Sequence, residues 1–425
     1  MAPKLSDSSK STPSVKQSDR INKQSDGFKQ SDGFKQSDSF KQNRFCWTVF
    51  GLWPGKIPEK YYKFFSITYL IISFVAYNAL LTLNLYHTPR RIETLIREII
   101  FTFTEIAVGT KLSMILFKRK KIAAIFEMLD CEEFKGNDEI GREIVVKHND
   151  YYKKYLLLNT VLSNFTYFSQ VLFPVFGFWI FGNTLDLPIC KYYFLSDQTR
   201  DDYFTWIFLY QSFFMYGHMM YNVNIDTLIA GFMVLAIGQV KVLCHDLESL
   251  KIEKSFGDQS LIDLKQQYKL RKILNHYELL LEYCDRFQDV IGGTMFVQYG
   301  IGSGIICVIM CGLLLPSSPE TQMFMVGYFM AMNLQISVPA WLGTQLTYES
   351  EALTTAAYKS EWLPRSERYK SSIKLLMERT KNPVIITGLK IFPLSLATYI
   401  QIMKTAYSCF ALLRIIQDRQ EQTAA

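Results

Sequence analysis

The stretch whose reading decides the fold is Ile385–Leu413, IITGLKIFPLSLATYIQIMKTAYSCFALL. At about 1.5 Å per residue it is long enough to cross a bilayer as a helix. It also holds Lys390, Lys404, Pro393 and the pair Tyr407-Ser408. Charges in hydrocarbon are expensive. Two readings therefore stand side by side: a terminal anchor whose lysines snorkel to the interface, or a helix that faces other protein or water and lines a path.

Upstream, the apolar residues gather into six further long runs, which is the signature of a membrane protein rather than of two or three soluble domains. They are Phe64–Tyr86, Ile99–Phe117, Tyr155–Gly182, Tyr203–Gly238, Val290–Leu315 and Gln322–Leu346. The fourth is longer than a bilayer requires and is expected to continue beyond it. Seven spans give an all-α membrane protein. The first 45 residues are polar, so entry into the membrane is expected to rely on the spans themselves.

Lysine and arginine set the orientation. Twelve precede the first span, nine lie between spans two and three, eight between four and five, and seven between six and seven. The other side holds seven, and Lys118-Arg119-Lys120-Lys121 directly after the second span is the strongest local pin. The expected topology has a cytoplasmic N-terminus and an extracellular C-terminus. That is opposite to G-protein-coupled receptors. The Asn-Pro-x-x-Tyr signature of that class is also missing, since Asn382-Pro383 is followed by Val384-Ile385-Ile386.

The expected organisation is a disordered repetitive segment over 1–45, a six-helix region with ligand pocket over 46–346, and a cytoplasmic anchor helix over 347–384. A seventh membrane helix over 385–414 and an extracellular tail over 415–425 complete it. In the first segment a unit recurs as KQSDR from Lys16, KQSDGF from Lys23 and Lys29, KQSDSF from Lys35 and KQNRF from Lys41. Such a polar segment buries too little apolar surface to offset its chain entropy. The spaced Phe28, Phe34 and Phe40 admit a reading as docking motifs, but slippage of a repeated coding segment is favoured. The inner connectors Gln239–Asp289 and Thr347–Lys381 carry helical apolar stripes and are expected to pack together below the membrane.

Chemistry for an enzyme is absent: there is no phosphate loop, zinc-protease motif or nucleophile elbow. The eight cysteines lack zinc-ligand spacing, and no disulfide framework, metal or other cofactor is implied. The net charge of +7 is modest, and no basic groove with interleaved aromatics points to nucleic acid. His218 reads as a satisfied buried imidazole, and Glu105 and Lys111, six residues apart, are expected to pair with other helices. Asn164-Phe165-Thr166 lies within a span, where a glycosylation sequon goes unused.

The outer halves of the spans concentrate aromatic residues and methionines with few charges, which suits a pocket for a small apolar molecule. The candidate ligand contacts are Phe103, Phe168, Phe173, Phe176, Trp179, Trp206, Tyr210, Phe213, Phe214, Met325 and Tyr328.

The C-terminal third carries Ala356-Ala357-Tyr358, Trp362-Leu363-Pro364, Arg368, Leu375-Leu376-Met377, Arg379 and Pro383. It continues with Phe392-Pro393-Leu394-Ser395-Leu396, Thr398-Tyr399, Ile402-Met403-Lys404 and Tyr407-Ser408-Cys409-Phe410. In these residues it resembles the insect odorant receptor family. Lys390-Ile391, Cys409 and the repetitive N-terminus depart from the family pattern.

The resemblance implies a ligand-tuned subunit of an odorant-gated, non-selective cation channel, assembled as a heterotetramer with the shared co-receptor. The setting would be the plasma membrane of olfactory-neuron dendrites. The pocket would lie in the outer part of spans two, three, four and six. The last span would line the pore, with Tyr407, Phe410 and Leu413 as gate candidates. Tyr358, Trp362, Tyr369, Ile373 and Leu376 would form the subunit anchor. Lys404 is expected to pack laterally as a lock, because a lysine in the narrowest part would repel cations. A gustatory-type channel without the co-receptor is an alternative, but Thr398-Tyr399 lacks the following Gln-Phe. A secondary transporter would show inverted repeats, and none is seen.

Overall fold

The structure, a computed structural model, describes residues 35–55, 58–90, 92–182, 185–251, 259–314 and 319–424. A short helix α1 (Lys41–Val49) leads into the first span, built from α2 (Glu59–Leu70) and α3 (Tyr77–His87) joined by a π-helical turn, Ile71–Ala76. The second span is α4 (Ile92–Leu129), whose backbone leaves helical geometry at Lys118. The third is α5 (Glu139–Tyr167) and α6 (Phe173–Phe181), joined by a second π turn, Phe168–Leu172. After a short α7 (Asp197–Asp202) come α8 (Phe204–Glu248), α9 (Gln259–Gly312) and α10 (Pro319–Lys359). Helix α11 (Glu367–Thr380), a small hairpin of β1 (Thr387–Gly388) and β2 (Phe392–Pro393), and α12 (Leu396–Ala424) close the chain.

Six helical stretches among the described residues are long and apolar enough to cross a membrane, and α12 is the seventh helix of the bundle. We call the end holding His87, Phe181, Phe204 and Gly312 the upper end. Helix α8 is the axis of the fold. It is buried along almost its whole lower two-thirds, and α4, α5, α9 and α10 all pack on it. An almost wholly apolar, all-round pattern is what a helix in that central position requires.

Much of both inner connectors continues the spans, and α11 is the separate helix within them. The fifth span and its inner extension are one helix of 54 residues, and the sixth span runs unbroken past 346 to Lys359. The expected boundary at 346–347 is therefore absent, and the anchor begins as the lower part of α10. Residues 347–359 contain neither Gly nor Pro, so the helix has no local reason to stop at 346. Pro339 sits inside α10 without breaking it. A proline leaves the carbonyl four residues earlier without its usual donor. Here Gln298 Nε2 donates to that Gln335 carbonyl at 3.0 Å, and Tyr299 Oη donates to Ile336 O at 3.1 Å.

The stretch Ile385–Leu413 is not one helix. Residues 385–395 form the hairpin, in register Thr387 with Pro393 and Gly388 with Phe392, and Leu389 and Lys390 take left-handed φ values of 50° and 59°. Gln288 clamps it, donating from Nε2 to Thr387 O and accepting from Thr387 N, each at 2.7 Å. Ile386 and Leu394 are buried against the bundle, so their apolarity serves packing rather than passage through lipid. Pro393, which has no N–H, ends β2, and α12 starts eleven residues later than the apolar pattern predicts.

The N-terminal boundary also moves. Residues 1–34 lie outside the described residues, but 35–45 is folded: a 3-10 turn over Gln36–Phe40 runs directly into α1. Phe40 is fully buried among Phe126, Tyr152 and Phe232, at ring-centroid distances of 5.2, 4.6 and 5.5 Å.

Candidate functional site

Near the upper end a second apolar cluster stands apart from the main core. Tyr77 and Leu81 of α3, Phe101 of α4, and Ile189, Cys190 and Tyr192 of the connector before α7 form its buried part. Tyr210 and Phe214 of α8 and Phe324 and Tyr328 of α10 complete the walls. Tyr210 and Phe214 meet edge to face at 4.7 Å and Phe101 and Tyr328 at 6.0 Å, while Phe101 and Phe324 lie tilted at 5.7 Å. Such walls offer large rigid contact area to an apolar guest.

Polar groups lie beneath this cluster, which we call the aromatic chamber. His218 of α8 lies with Nδ1 2.6 Å from Glu105 Oε2, and its Nε2 donates to the Ser73 carbonyl at 2.8 Å. That carbonyl is available because Ser73 sits in the π turn of the first span, where the regular i to i−4 ladder is broken. Tyr210 Oη donates to the neighbouring Ile72 carbonyl at 3.3 Å. Tyr77 lies over the imidazole at 4.5 Å, and the Thr104 and Tyr328 hydroxyls are hydrogen-bonded to each other. His218 is thus the satisfied imidazole its sequence context suggests, with both nitrogens engaged.

The connector 185–196 acts as the chamber's cap. Gln211 accepts from the Ile189 and Cys190 amides at 3.1 and 3.4 Å and donates to the Cys190 carbonyl at 2.9 Å. Asn84 accepts from Tyr193 N at 2.8 Å while donating to Glu98 at 2.8 Å. Arg97 donates to the Pro188 carbonyl at 3.1 Å and lies over the Phe324 ring. Burial pushes the Cys190 thiol well above its ordinary pKa, which leaves it inert.

Below the chamber, Lys111 of α4 is completely buried and pairs with Asp226 of α8 at 2.6 Å. It also donates to Asn222 Oδ1 at 2.5 Å, and Gln335 of α10 donates to Asn222 and Asp226 at 2.9 and 2.7 Å. Lys111 therefore does find its partner on another helix, as expected; Glu105 does too, in His218.

With this geometry in view, the profile of the 7tm odorant receptor family matches residues 91–407. The chain belongs to the odorant receptor family. It is 22% identical to Odorant receptor Or1 of Anopheles gambiae over 402 residues, 88% of this chain and 94% of that one. It is 22% identical to Odorant receptor 85a of Drosophila melanogaster over 74% of this chain and 77% of that one. The match to Odorant receptor 43b of Drosophila melanogaster, at 28% identity, spans only 34% of that protein. The fold is that of the olfactory receptor OR5 from Machilis hrabei, solved in complex with eugenol. The TM-score is 0.76 at 18% identity, covering 89% of this chain and 97% of OR5. As an odorant receptor the chain is a multi-pass membrane receptor for small volatile molecules, and not an enzyme.

Among the residues singled out from sequence, this odorant receptor brings Tyr210, Phe214 and Tyr328 into the chamber. Phe103 points away from it, and Phe101, two residues earlier and on the opposite helical face, points in. Phe168, Phe173, Phe176, Trp179, Trp206 and Phe213 lie on the outer surface of the bundle. Met325 is buried in the main core. Missed from sequence were Tyr77, Leu81, Phe101, Phe324 and the whole connector cap. The signal for the cap was present: Asn84 and Gln211 are polar residues inside apolar runs.

Tyr407 is exposed and stacks on Phe410 at 6.2 Å; the side chain of Leu413 lies outside the described residues. Lys404 is exposed rather than packed laterally, because the face of α12 toward the bundle is formed by Tyr399, Ile402, Met403 and Ala406. Of the anchor residues, Tyr369, Ile373 and Leu376 are buried within this chain, where α11 packs on α10, and Trp362 is half-buried. Tyr358, with Leu363 and Leu375, is exposed. The helical stripe on α11 marks its own core face. Among the described residues one group, Asp138, His245 and Asp246, has metal-ligand chemistry. Its atoms are already engaged, His245 Nε2 with Asp138 at 2.7 Å and Asp246 with Asn137 at 2.6 Å. It lies about 50 Å along α8 from Tyr210.

Proposed function

We propose that this odorant receptor is the ligand-binding subunit of an odorant-gated, non-selective cation channel that works as a heterotetramer with the shared co-receptor. Its setting is the plasma membrane of olfactory-neuron dendrites, with the N-terminus cytoplasmic. The capped aromatic cluster between α3, α4, α8 and α10, where a ligand would seat among the rings, is the observation that supports this reading. It is walled by rings and underlain by a few tyrosine and histidine groups, with Glu105 engaged by His218. That chemistry suits a small apolar or aromatic volatile bearing one hydrogen-bonding group, and the eugenol bound by OR5 is a molecule of that kind. The exposed face of α12 that carries Ile400 and Tyr407 points away from the chain's own core and is where a pore would be lined. Tyr358, Leu363 and Leu375 are exposed around α11 and would meet neighbouring subunits. A ligand opens such a channel only by as much as it binds the open state better. The test is expression in oocytes with and without the co-receptor under a panel of volatiles. Odorant-evoked cation current only in the pair supports the proposal. Current from this chain alone refutes the obligate pairing, and uptake without current refutes the channel.

A further inference from the structure

The last full copy of the N-terminal repeat, Lys35-Gln36-Ser37-Asp38-Ser39-Phe40, is seated in a fitted cleft between α4, α5 and α8. The repeated Gln, Ser and Phe are read there, while Lys35 is exposed and Asp38 pairs within the segment itself. Gln36 Nε2 donates to the Phe134 carbonyl at 2.8 Å. Ser37 donates to Asp130 twice, from its amide at 3.0 Å and its hydroxyl at 2.6 Å. Asp38 pairs with Lys41 at 2.9 Å, closing the turn. Ser39 donates to Asn149 Oδ1 at 2.8 Å. Phe40 fills an aromatic hole, and the hole exists because α8 carries glycine at 231: a Cβ there would stand 2.6 Å from the Phe40 ring and 2.7 Å from Tyr152.

Two upstream copies, Gln24–Phe28 and Gln30–Phe34, repeat the same Gln, Ser, Asp and Phe at the same offsets and differ only in glycine for Ser39. The repeat length is six in both steps, so moving the chain by one unit returns each recognised side chain to the same place. We infer that this cleft is a peptide-binding site specific for the unit Gln-Ser-Asp-x-Phe, and that the upstream copies are interchangeable occupants of it within the same chain. The repeat is then a length-tolerant plug: loss of a whole unit leaves the site filled, whereas loss of part of one empties it. A segment produced by coding slippage would keep its function through further slippage for this reason.

The test uses the full-length chain extracted in detergent, with melting temperature as readout. Deleting 35–40 brings Gln30, Ser31, Asp32 and Phe34 into the vacated positions ahead of Lys41. The melting temperature is expected to stay within about 2 °C, since a single hydrogen bond from Ser39 is lost. Deleting 38–40 breaks the register and is expected to lower it by about 5 °C or more. A charge provides a second readout. Ser31→Glu should be silent in the intact chain and destabilising in the 35–40 deletion, where its carboxylate meets Asp130, as Ser37→Glu does in the intact chain. The inference is overturned if the two deletions melt alike. It is equally overturned if Ser31→Glu has the same effect in both backgrounds.

Discussion

Lys111 Nζ and Asp226 Oδ1 are 2.6 Å apart in the middle of the helical bundle, and no part of Lys111 reaches the surface. The pair joins the second span to the fourth, and Gln335 ties the sixth to the same carboxylate. Removing one member of a buried pair leaves the other uncompensated, which costs about 3–5 kcal/mol. We expect Asp226→Asn and Lys111→Met each to lower the melting temperature sharply. The double variant should recover part of the loss, because it leaves no orphaned charge. Fluorescence-detected size-exclusion melting of all four chains checks this. Additive losses in the double variant would show that the two groups are uncoupled.

How much of this was legible in the sequence follows from what each signal measures. Run length located the spans because hydrocarbon demands continuous apolarity, and Lys111 announced a partner because a bare ammonium there is too costly. The same signal misread 385–395, since a hairpin that packs Ile386 and Leu394 on the bundle and leaves Ile385, Leu389 and Ile391 exposed is as apolar as a span. The stripe on α11 was real but ambiguous: Tyr369, Ile373 and Leu376 face a core, and periodicity does not say whose. Phe103 and Phe101 are equally aromatic, and only the rotation of α4 about its axis separates them. Gln36–Phe40 was invisible because its composition is that of a solvated repeat, while its binding energy comes from partners about a hundred residues away in sequence.

The chamber makes that helical rotation testable. Phe101 is 9% exposed and walls the chamber, whereas Phe103 is 39% exposed and turned outward. Truncating a well-packed aromatic contact to a ligand commonly costs more than about 1.4 kcal/mol, a tenfold loss. Phe101→Ala is expected to raise the effective concentration of an activating volatile by about tenfold or more, with Phe103→Ala unchanged. Tyr328→Phe removes one hydroxyl and leaves Thr104 without that partner, a loss of about 0.5–1.5 kcal/mol. Concentration–response curves at matched surface expression distinguish the three. Equal sensitivity to Phe101→Ala and Phe103→Ala would place the ligand elsewhere.

Gln211 holds the cap by three hydrogen bonds to Ile189 and Cys190. Gln211→Leu keeps the volume but strands two amides and a carbonyl, each costing about 1–3 kcal/mol if it stays buried. The cap is expected to open locally rather than the bundle to unfold, because these bonds are confined to the connector. Cys190 is the reporter: it is 3% exposed and its thiol is pushed up by burial. Its labelling by a maleimide should accelerate by about tenfold or more in the variant while the global melting temperature falls little. An unchanged labelling rate would mean that Arg97 and Asn84 suffice to hold the cap.

The start of α12 depends on a glycine in α10. A Cβ on Gly343 would overlap the Leu394 carbonyl oxygen, the backbone group just before the helix begins. Beside it, Leu396 N donates to Thr344 Oγ1 at 2.9 Å, and Leu394 N donates to Ile386 O at 2.8 Å, so the contact is fixed from both sides. Backbone cannot swing aside as a side chain can. Gly343→Ala therefore has to displace the hairpin and the first turn of α12, at about 1–3 kcal/mol. Gly300 of α9 is the matched control, because a Cβ there meets nothing within 4 Å. Helix propensity alone favours alanine by up to about 1 kcal/mol, so Gly300→Ala should be neutral or stabilising. We expect Gly343→Ala to lower the melting temperature and, because α12 is the proposed pore helix, to change the current at matched surface expression. If Gly343→Ala melts no lower than Gly300→Ala, the hairpin has room to move, and α12 is not held in place by α10.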